Sequence, residues 1–193
     1  ARRTLAVAVA LVNRLVTALA APERLPRLDF AEGLPASERT MVIVPTLFTS
    51  LDGVRALIEQ LEVSALGNLD PHLHFALLSD LADADAQHLP ADAALVQAAV
   101  EGIGALNRRP WAEGGQRFFL FHRERRWNPG EQAWMGWERK RGKIEEWNRL
   151  LRGATDTSFT VEAGDASIFP AVHYCITLDS DTQLPMEAGR RLV

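Results

Sequence analysis

The chain has 193 residues, which is enough for one domain with a hydrophobic core. Hydrophobic residues make up 47% and charged residues 24%, as in ordinary soluble globular proteins, and the net charge of −4 argues against nucleic-acid binding, which needs a basic surface. The single cysteine, Cys175, excludes an internal disulfide, and no Cys/His cluster has the spacing of a zinc site.

Residues 1–20 predict an amphipathic helix. The run is interrupted by a polar pair at 13–14, so it is too short for a spanning helix, which needs about 20 apolar residues. Its large apolar residues recur at helical spacing: Leu5, Val9, Val12, Val16 and Leu19. We expect this helix to face a membrane or a partner. Packing on its own protein is an equally good alternative, and a signal peptide is a less favoured one.

Prolines at 22, 26 and 35 predict a linker over 21–39, and we assign 40–193 to the main domain. The chain begins without methionine and stops at Val193, so we expect it to be a piece of a longer protein, truncated on its C-terminal side.

Strands and helices alternate along this domain. Short apolar runs predict buried strands, and apolar residues spaced three and four apart predict helices. Runs 41–44, 73–78, 116–122 and 172–178 predict the strands, whereas 54–61, 91–107 and 142–152 predict the helices. The alternation is typical of an α/β fold with a mostly parallel sheet flanked by helices.

Two carboxylates, Asp179 and Asp181, directly follow the last strand, which we expect to be central in the sheet. Residues i and i+2 of an extended segment point to one side, so both carboxylates can face one point. Mg²⁺ or Mn²⁺ suits such oxygen ligands and typically bridges to a substrate diphosphate. Open α/β sheets bind ligands at the carboxyl ends of their strands. A solvated turn is the alternative for the bare motif.

Two further residues are candidates for the same site. Lys143 follows a glycine at the predicted start of a helix, where its ammonium and the helix N-terminus both suit a phosphate. Its alternative is a solvated lysine in a basic run. Asp80 ends the second strand, where its carboxylate can accept hydrogen bonds from a uracil or a ribose. Its alternative is a turn cap, which we also assign to Asp83 and Asp85.

The order of these motifs resembles the nucleotide-sugar glycosyltransferases of the GT-A, Rossmann-like fold. The similarity is greater to the cyclic β-1,2-glucan synthases, and it covers nearly the whole chain. The most specific part is the tryptophan-rich stretch within 126–143. The segments that carry the resemblance are 41–47, 72–80, 126–130, 134–143 and 176–182.

The resemblance implies a metal-dependent, inverting transfer of glucose from UDP-glucose to a growing β-1,2-glucan chain or a protein-bound primer. It implies that Asp179 and Asp181 hold Mg²⁺ or Mn²⁺, with Asp179 also beside the nucleotide sugar. Lys143 would hold the diphosphate and Asp80 would hold the nucleoside. The base would lie beside Pro45 and Thr46.

The tryptophans of the same stretch are candidates for sugar contacts, because aromatic faces pack on sugar C–H surfaces; core packing is the alternative. Arg139 and Arg141 are candidates for phosphate contacts, or for surface roles. The three tryptophans concerned are Trp127, Trp134 and Trp137. Cys175, in a strand expected to be buried and without an activating base, is interpreted as structural.

The resemblance also implies a parent protein in the bacterial inner membrane, with this domain on the cytoplasmic side and further domains in the same chain. The general base of an inverting transfer would follow Val193, so we expect this chain alone to be inactive. Two other functions remain open: a carbohydrate hydrolase or phosphorylase module, and a non-catalytic α/β interaction domain.

Overall fold

A computed structural model describes residues 2–20, 30–110 and 116–193. The central element is a five-stranded sheet. Its strands are β1 (Thr40–Phe48), β2 (Leu73–Leu81), β3 (Phe118–Arg123), β6 (Phe159–Ala163) and β7 (Tyr174–Thr177). They are arranged in the order β6-β3-β2-β1-β7, and only β6 is antiparallel to its neighbour. The α/β architecture with a mostly parallel sheet, predicted from the alternation of elements, is confirmed.

Helices cover both faces of this sheet. A small antiparallel hairpin, made of β4 (Arg126–Asn128) and β5 (Ala133–Met135), stands apart as a second sheet. The helices are α1 (Arg2–Leu19), α2 (Leu51–Leu66), α3 (Asp92–Asn107), α4 (Arg139–Leu151) and α5 (Ala188–Leu192). The predicted helices of the domain are confirmed within a few residues at each end.

The three inner strands are buried on both faces because their residues alternate between two apolar clusters. Val42, Phe75 and Leu120 pack with α2 and α3 on one face. On the other face, Phe121 packs with Trp147 of α4, with ring centroids 4.8 Å apart. This two-sided burial fixes the position of the start of α4 relative to the strand ends.

Strand β1 runs through Pro45, where the apolar run predicted its end. The Ile43 carbonyl accepts a hydrogen bond from Leu178 on the β7 side, and Pro45, two residues on, faces that same side. Strand β7 pairs with β1 only as far as Ile43, so the missing proline N–H leaves no ladder bond unmade. The strand therefore continues to Phe48 and carries Thr46 with it.

The prediction for the last strand was wrong in its position. Strand β7 lies at an edge of the sheet, paired only with β1 among the described residues, and is not central. Tyr174 and Cys175 are exposed, so the expected burial of Cys175 is also wrong. A short, mostly apolar run such as 172–178 looks the same in sequence at the edge and at the centre of a sheet. Trp147 nevertheless donates its indole N–H to the Cys175 Sγ, at 3.3 Å.

The N-terminal region is described in part. Helix α1 forms where a helix was predicted, and its apolar side chains are exposed, from Leu5 at 67% to Leu19 at 78%. Within residues 2–20, 30–110 and 116–193, no helix is both long enough and apolar enough to cross a bilayer. Residues 21–29 of the predicted linker lie outside the described residues. The rest of it packs on the domain, since Leu34 is buried and its N–H bonds to Asp70.

Candidate functional site

The carboxyl ends of β1 and β2, the loop after β7 and the start of α4 surround one cavity of about 300 Å³. Parallel α/β sheets bind ligands at this edge, so the cavity lies where the topology favours a site. Four residues predicted to contact the nucleotide line it together, and Lys140 joins them from the first turn of α4. The full lining is Pro45, Thr46, Leu47, Asp80, Arg139, Lys140, Lys143 and Ser180.

A buried ion network forms one wall of this cavity. Arg123, at the end of β3, is fully buried and donates two hydrogen bonds of 2.8 Å to the Asp80 carboxylate. It donates a third, of 2.9 Å, to Glu146 on α4. Glu146 is bonded in turn by the backbone N–H and hydroxyl of Ser158. The network ties two strand ends to α4, and every charge in it has a partner.

Lys143 belongs to the same network. Its ammonium lies 3.1 Å from the Asp80 carboxylate and donates to the Thr46 carbonyl, and the side chain is 3% exposed. Lys143 and Asp80 are thus brought together, as predicted, at the wall of the cavity. Their polar groups bond to each other in this structure, so the contacts to a nucleotide stay predictions.

The electrostatics of the network follow from burial and pairing. Burial lowers the pKa of Lys143, although the Asp80 carboxylate opposes the shift. Burial alone would lower the pKa of Arg123 as well, but its hydrogen bonds to Asp80 and Glu146 outweigh burial and raise it. Burial also lowers the pKa of His122, beside Arg123 on β3, to about 4. The imidazole is therefore neutral at pH 7 and adds no charge behind the site.

Gly136 makes the close packing of this wall possible. A Cβ at this position would lie 2.4 Å from the Asp80 Oδ2 and 3.0 Å from the Arg123 Nη2. The backbone after β5 therefore contacts the buried ion pair directly, and any larger residue would have to displace it. The hairpin and the network are packed as one unit.

The two carboxylates after β7 lie in an exposed turn. The Thr182 N–H bonds to the Asp179 carbonyl at 2.9 Å, so 179–182 form a turn and the predicted extended geometry of Asp179 and Asp181 is wrong. Asp179 forms an ion pair with Lys140 of α4. Pro45, the next residue of β1 that faces this side, has no N–H to continue the ladder, so the exposed chain after Leu178 forms a local backbone bond instead.

This turn is compatible with a divalent cation. Mg²⁺ is usually bound by one or two carboxylates and completes its coordination with waters and substrate phosphates. Asp179 and Asp181 flank Ser180, which lines the cavity, but neither aspartate is itself among the lining residues, and Asp179 pairs with Lys140. Among the described residues no group of three or more His, Cys, Asp or Glu is placed to hold a metal by itself. A cation at this turn would therefore need oxygen ligands from its substrate.

The tryptophan-rich stretch forms the β4–β5 hairpin and the loop before α4. Trp127 pairs with Trp134 across the hairpin, with ring centroids 5.9 Å apart. Trp127 is 50% exposed and Trp137 is 42% exposed. These two side chains are therefore not packed in the core, which was the alternative to a sugar contact. Trp134 is partly buried and its backbone forms two bonds with Ala84. None of the three tryptophans lines the cavity at the carboxyl ends of β1 and β2.

Two arginines of the same stretch form surface ion pairs, one of them with Asp83 in the loop after β2. Arg139 contacts Asp83 at 2.8 Å and Glu131 at 3.1 Å, and Arg141 contacts Glu138. Arg139 also lines the cavity, whereas Arg141 does not. Asp83 was predicted to be a turn cap, but its carboxylate accepts a hydrogen bond from the Arg139 guanidinium, which lies 56 residues further along the chain.

Sequence reasoning missed Arg123, Glu146 and Lys140. Arg123 ends an apolar strand in register with Asp80, which a β-strand alignment of 75–80 with 118–123 brings side by side. Glu146 lies three residues after Lys143 on α4, so both occupy one helical face. These spacings were present in the sequence. Lys140 gave no separate signal within its basic run.

No known family profile matches the chain. A search of curated proteins finds the cyclic beta-(1,2)-glucan synthase NdvB of Rhizobium meliloti (strain 1021), with 45% identity over 186 residues. This chain is similar to a segment of a cyclic β-(1,2)-glucan synthase. The resemblance inferred from the motifs is confirmed. The match takes in 96% of this chain but 6% of the length of NdvB, so the activity of the whole relative is not transferred by the match.

Proposed function

We propose that this chain is the donor-binding part of a glucosyltransferase that uses UDP-glucose to extend a β-1,2-glucan. The observation that carries the proposal is the convergence of Pro45, Thr46, Asp80 and Lys143 on one cavity, at the carboxyl edge of a parallel sheet and beside the Asp179 turn. The similarity to NdvB supports the link to glucan synthesis.

In this proposal the cavity holds the nucleotide and the turn holds the cation. Pro45 and Thr46 lie beside the base, and Asp80 contacts the nucleoside while keeping Lys143 in place. Lys143 at the cavity wall and Lys140 at its mouth supply positive charge for the diphosphate. Asp179 and Asp181 would hold Mg²⁺ or Mn²⁺, which when bound stabilises the charge that the leaving diphosphate gains.

The reaction course is part of the proposal. An inverting transfer needs a carboxylate to accept the proton of the acceptor hydroxyl, and we expect that general base outside this chain. The acceptor would be a β-1,2-glucan chain or a protein-bound primer. Contact with the remaining domains of a longer synthase, and a place at the cytoplasmic side of a bacterial inner membrane, stay predictions.

The test is the binding of UDP with and without Mn²⁺ in a calorimetric titration. We expect Asp179→Asn combined with Asp181→Asn to abolish the Mn²⁺-dependent part of the affinity, because amide oxygens carry no charge for the cation. Asp52→Asn is the control, since it also removes an exposed, paired carboxylate, on α2. Equal Mn²⁺ dependence in the double variant and the control would reject the metal assignment.

A further inference from the structure

A second, larger cavity lies between the β4–β5 hairpin and α4. Its volume is about 670 Å³, within the range of about 300–1,000 Å³ that is usual for small-molecule sites. Trp127 and Trp137 line it, and both are among the most exposed large aromatic residues described. Exposed tryptophans lose contact with water when a ligand covers them, so this cavity offers two aromatic faces to a ligand.

The aromatic faces are held in place by local structure. Trp127 packs against Trp134 across the hairpin, and Trp134 is bonded to Ala84. Trp137 packs over Gly142 of α4, where a Cβ would lie 2.7 Å from its ring and 2.1 Å from its carbonyl oxygen. The cavity is therefore a built feature with fixed walls.

The backbone around the cavity is unusual. Glu138 and Arg139 have φ values of 51° and 46°, and Gln132 in the hairpin turn has a φ of 53°. Side-chain-bearing residues rarely adopt this conformation, and it tends to occur where a binding site needs a particular backbone course. Here the two successive residues turn the chain from Trp137 into α4, so that both Glu138 and Arg139 line the cavity.

The balance of charges in the lining disfavours an anionic ligand. Three guanidinium groups face four carboxylates, which are Arg126, Arg139 and Arg149 against Glu131, Glu138, Glu146 and Asp156. Arg139 pairs with Glu131 and Arg149 pairs with Asp156, whereas Arg126 forms no ion pair among the described residues. A polyhydroxyl ligand can instead donate to the carboxylates and accept from the guanidinium groups, while its C–H faces pack on the tryptophans.

Arg139 borders both cavities, so the larger one opens next to the proposed nucleotide cavity. We propose that the cavity lined by Trp127 and Trp137 is a saccharide-binding site for the β-1,2-linked gluco-oligosaccharide that accepts glucose. The choice of this oligosaccharide rests on the proposed function. The existence of a neutral-saccharide site rests on the cavity itself.

The test is calorimetric titration of the chain with β-1,2-linked glucotetraose, without nucleotide or metal. We expect binding that weakens about tenfold in Trp127→Ala and in Trp137→Ala, which corresponds to loss of one stacked ring. Trp137→Phe keeps an aromatic face and should lose less. Tyr174→Ala is the matched control, because Tyr174 is 41% exposed and lies on β7, outside the cavity lining.

Two further measurements separate this proposal from the proposed function. The Asp179→Asn, Asp181→Asn variant should bind the oligosaccharide as the unaltered chain does, even when its UDP binding is lost. Circular dichroism should show that the tryptophan variants are folded, as expected for exposed positions. No binding of the oligosaccharide at millimolar concentration overturns the proposal. The proposal is also overturned if the oligosaccharide binds equally well to Trp127→Ala, Trp137→Ala and Tyr174→Ala. Competition between inorganic phosphate and the oligosaccharide would overturn it as well.

Discussion

The buried network makes Asp80→Asn the most informative perturbation of stability. Asp80 is 1% exposed, accepts two bonds of 2.8 Å from Arg123, and lies 3.1 Å from Lys143. Removing one partner of a buried ion pair costs about 3–5 kcal/mol, because the remaining charges stay buried. Arg123 keeps Glu146 as a partner in the variant, so we expect the lower end, about 3 kcal/mol.

Urea unfolding measures this cost. With a dependence of about 2 kcal/mol per molar urea, the midpoint should fall by about 1.5 M. Asp83→Asn is the matched control, since Asp83 also pairs with an arginine but at the surface, where such pairs contribute about 0–1 kcal/mol. A midpoint shift in Asp80→Asn no larger than that of Asp83→Asn would refute the assignment of Asp80 to a stabilising buried network.

Two other predictions concern the same region. Because burial lowers the pKa of His122 to about 4 from 6.5, the unfolded chain binds its proton first, and stability falls as pH falls from 6.5 towards 4. At pH 5 the loss of unfolding free energy from this group is about 2 kcal/mol relative to pH 7.5. Urea unfolding at the two pH values should show a smaller loss in His122→Gln than in the unaltered chain. An equal loss in both would contradict this prediction. Gly136→Ala should lower the unfolding free energy by about 1–3 kcal/mol, by overpacking against Asp80. Gly104→Ala, inside α3, should cost nothing measurable in the same assay; equal costs would contradict the packing argument.

The parallel sheet was predictable because its inner strands are long apolar runs. Residues 41–44, 73–78 and 118–122 are buried on both faces, and such runs look alike wherever they occur in a protein. Whether a run is central or at an edge depends on partners far along the chain. The position of β7 was therefore misjudged, and the short strands β4, β5 and β6 were not identified at all. Strands of three to five residues carry too little periodicity to be recognised.

Part of the cavity lining was predictable from the sequence, but the bonding between its residues was not. Asp80 was identified because it lies near the end of β2. Lys143 was identified from a predicted helix start at 142, which was wrong, because α4 begins at Arg139 and Lys143 lies in its second turn. The contact of Asp80 with Lys143, and with Arg123, depends on the register of β2 with β3 and on the position of α4. Register and helix position are tertiary properties, and the local pattern of charges does not encode them.

The geometry of the Asp179 turn shows a related effect. The spacing of the two carboxylates suggested an extended chain, but an exposed polar segment beyond an edge strand forms its hydrogen bonds locally. The turn places Asp179 beside Lys140. In the proposed site, the arrangement of the two carboxylates would be set only when the cation and the diphosphate bind.

In the proposed function this chain holds a nucleotide sugar in the cavity and a cation at the adjacent turn. The most direct test is a calorimetric titration of the chain with UDP-glucose, in Mn²⁺ and again in EDTA, with ADP-glucose as the comparison. We expect saturable UDP-glucose binding in Mn²⁺ that is lost in EDTA and is weaker for ADP-glucose. No binding at millimolar concentrations, or equal binding in Mn²⁺ and EDTA, would contradict it.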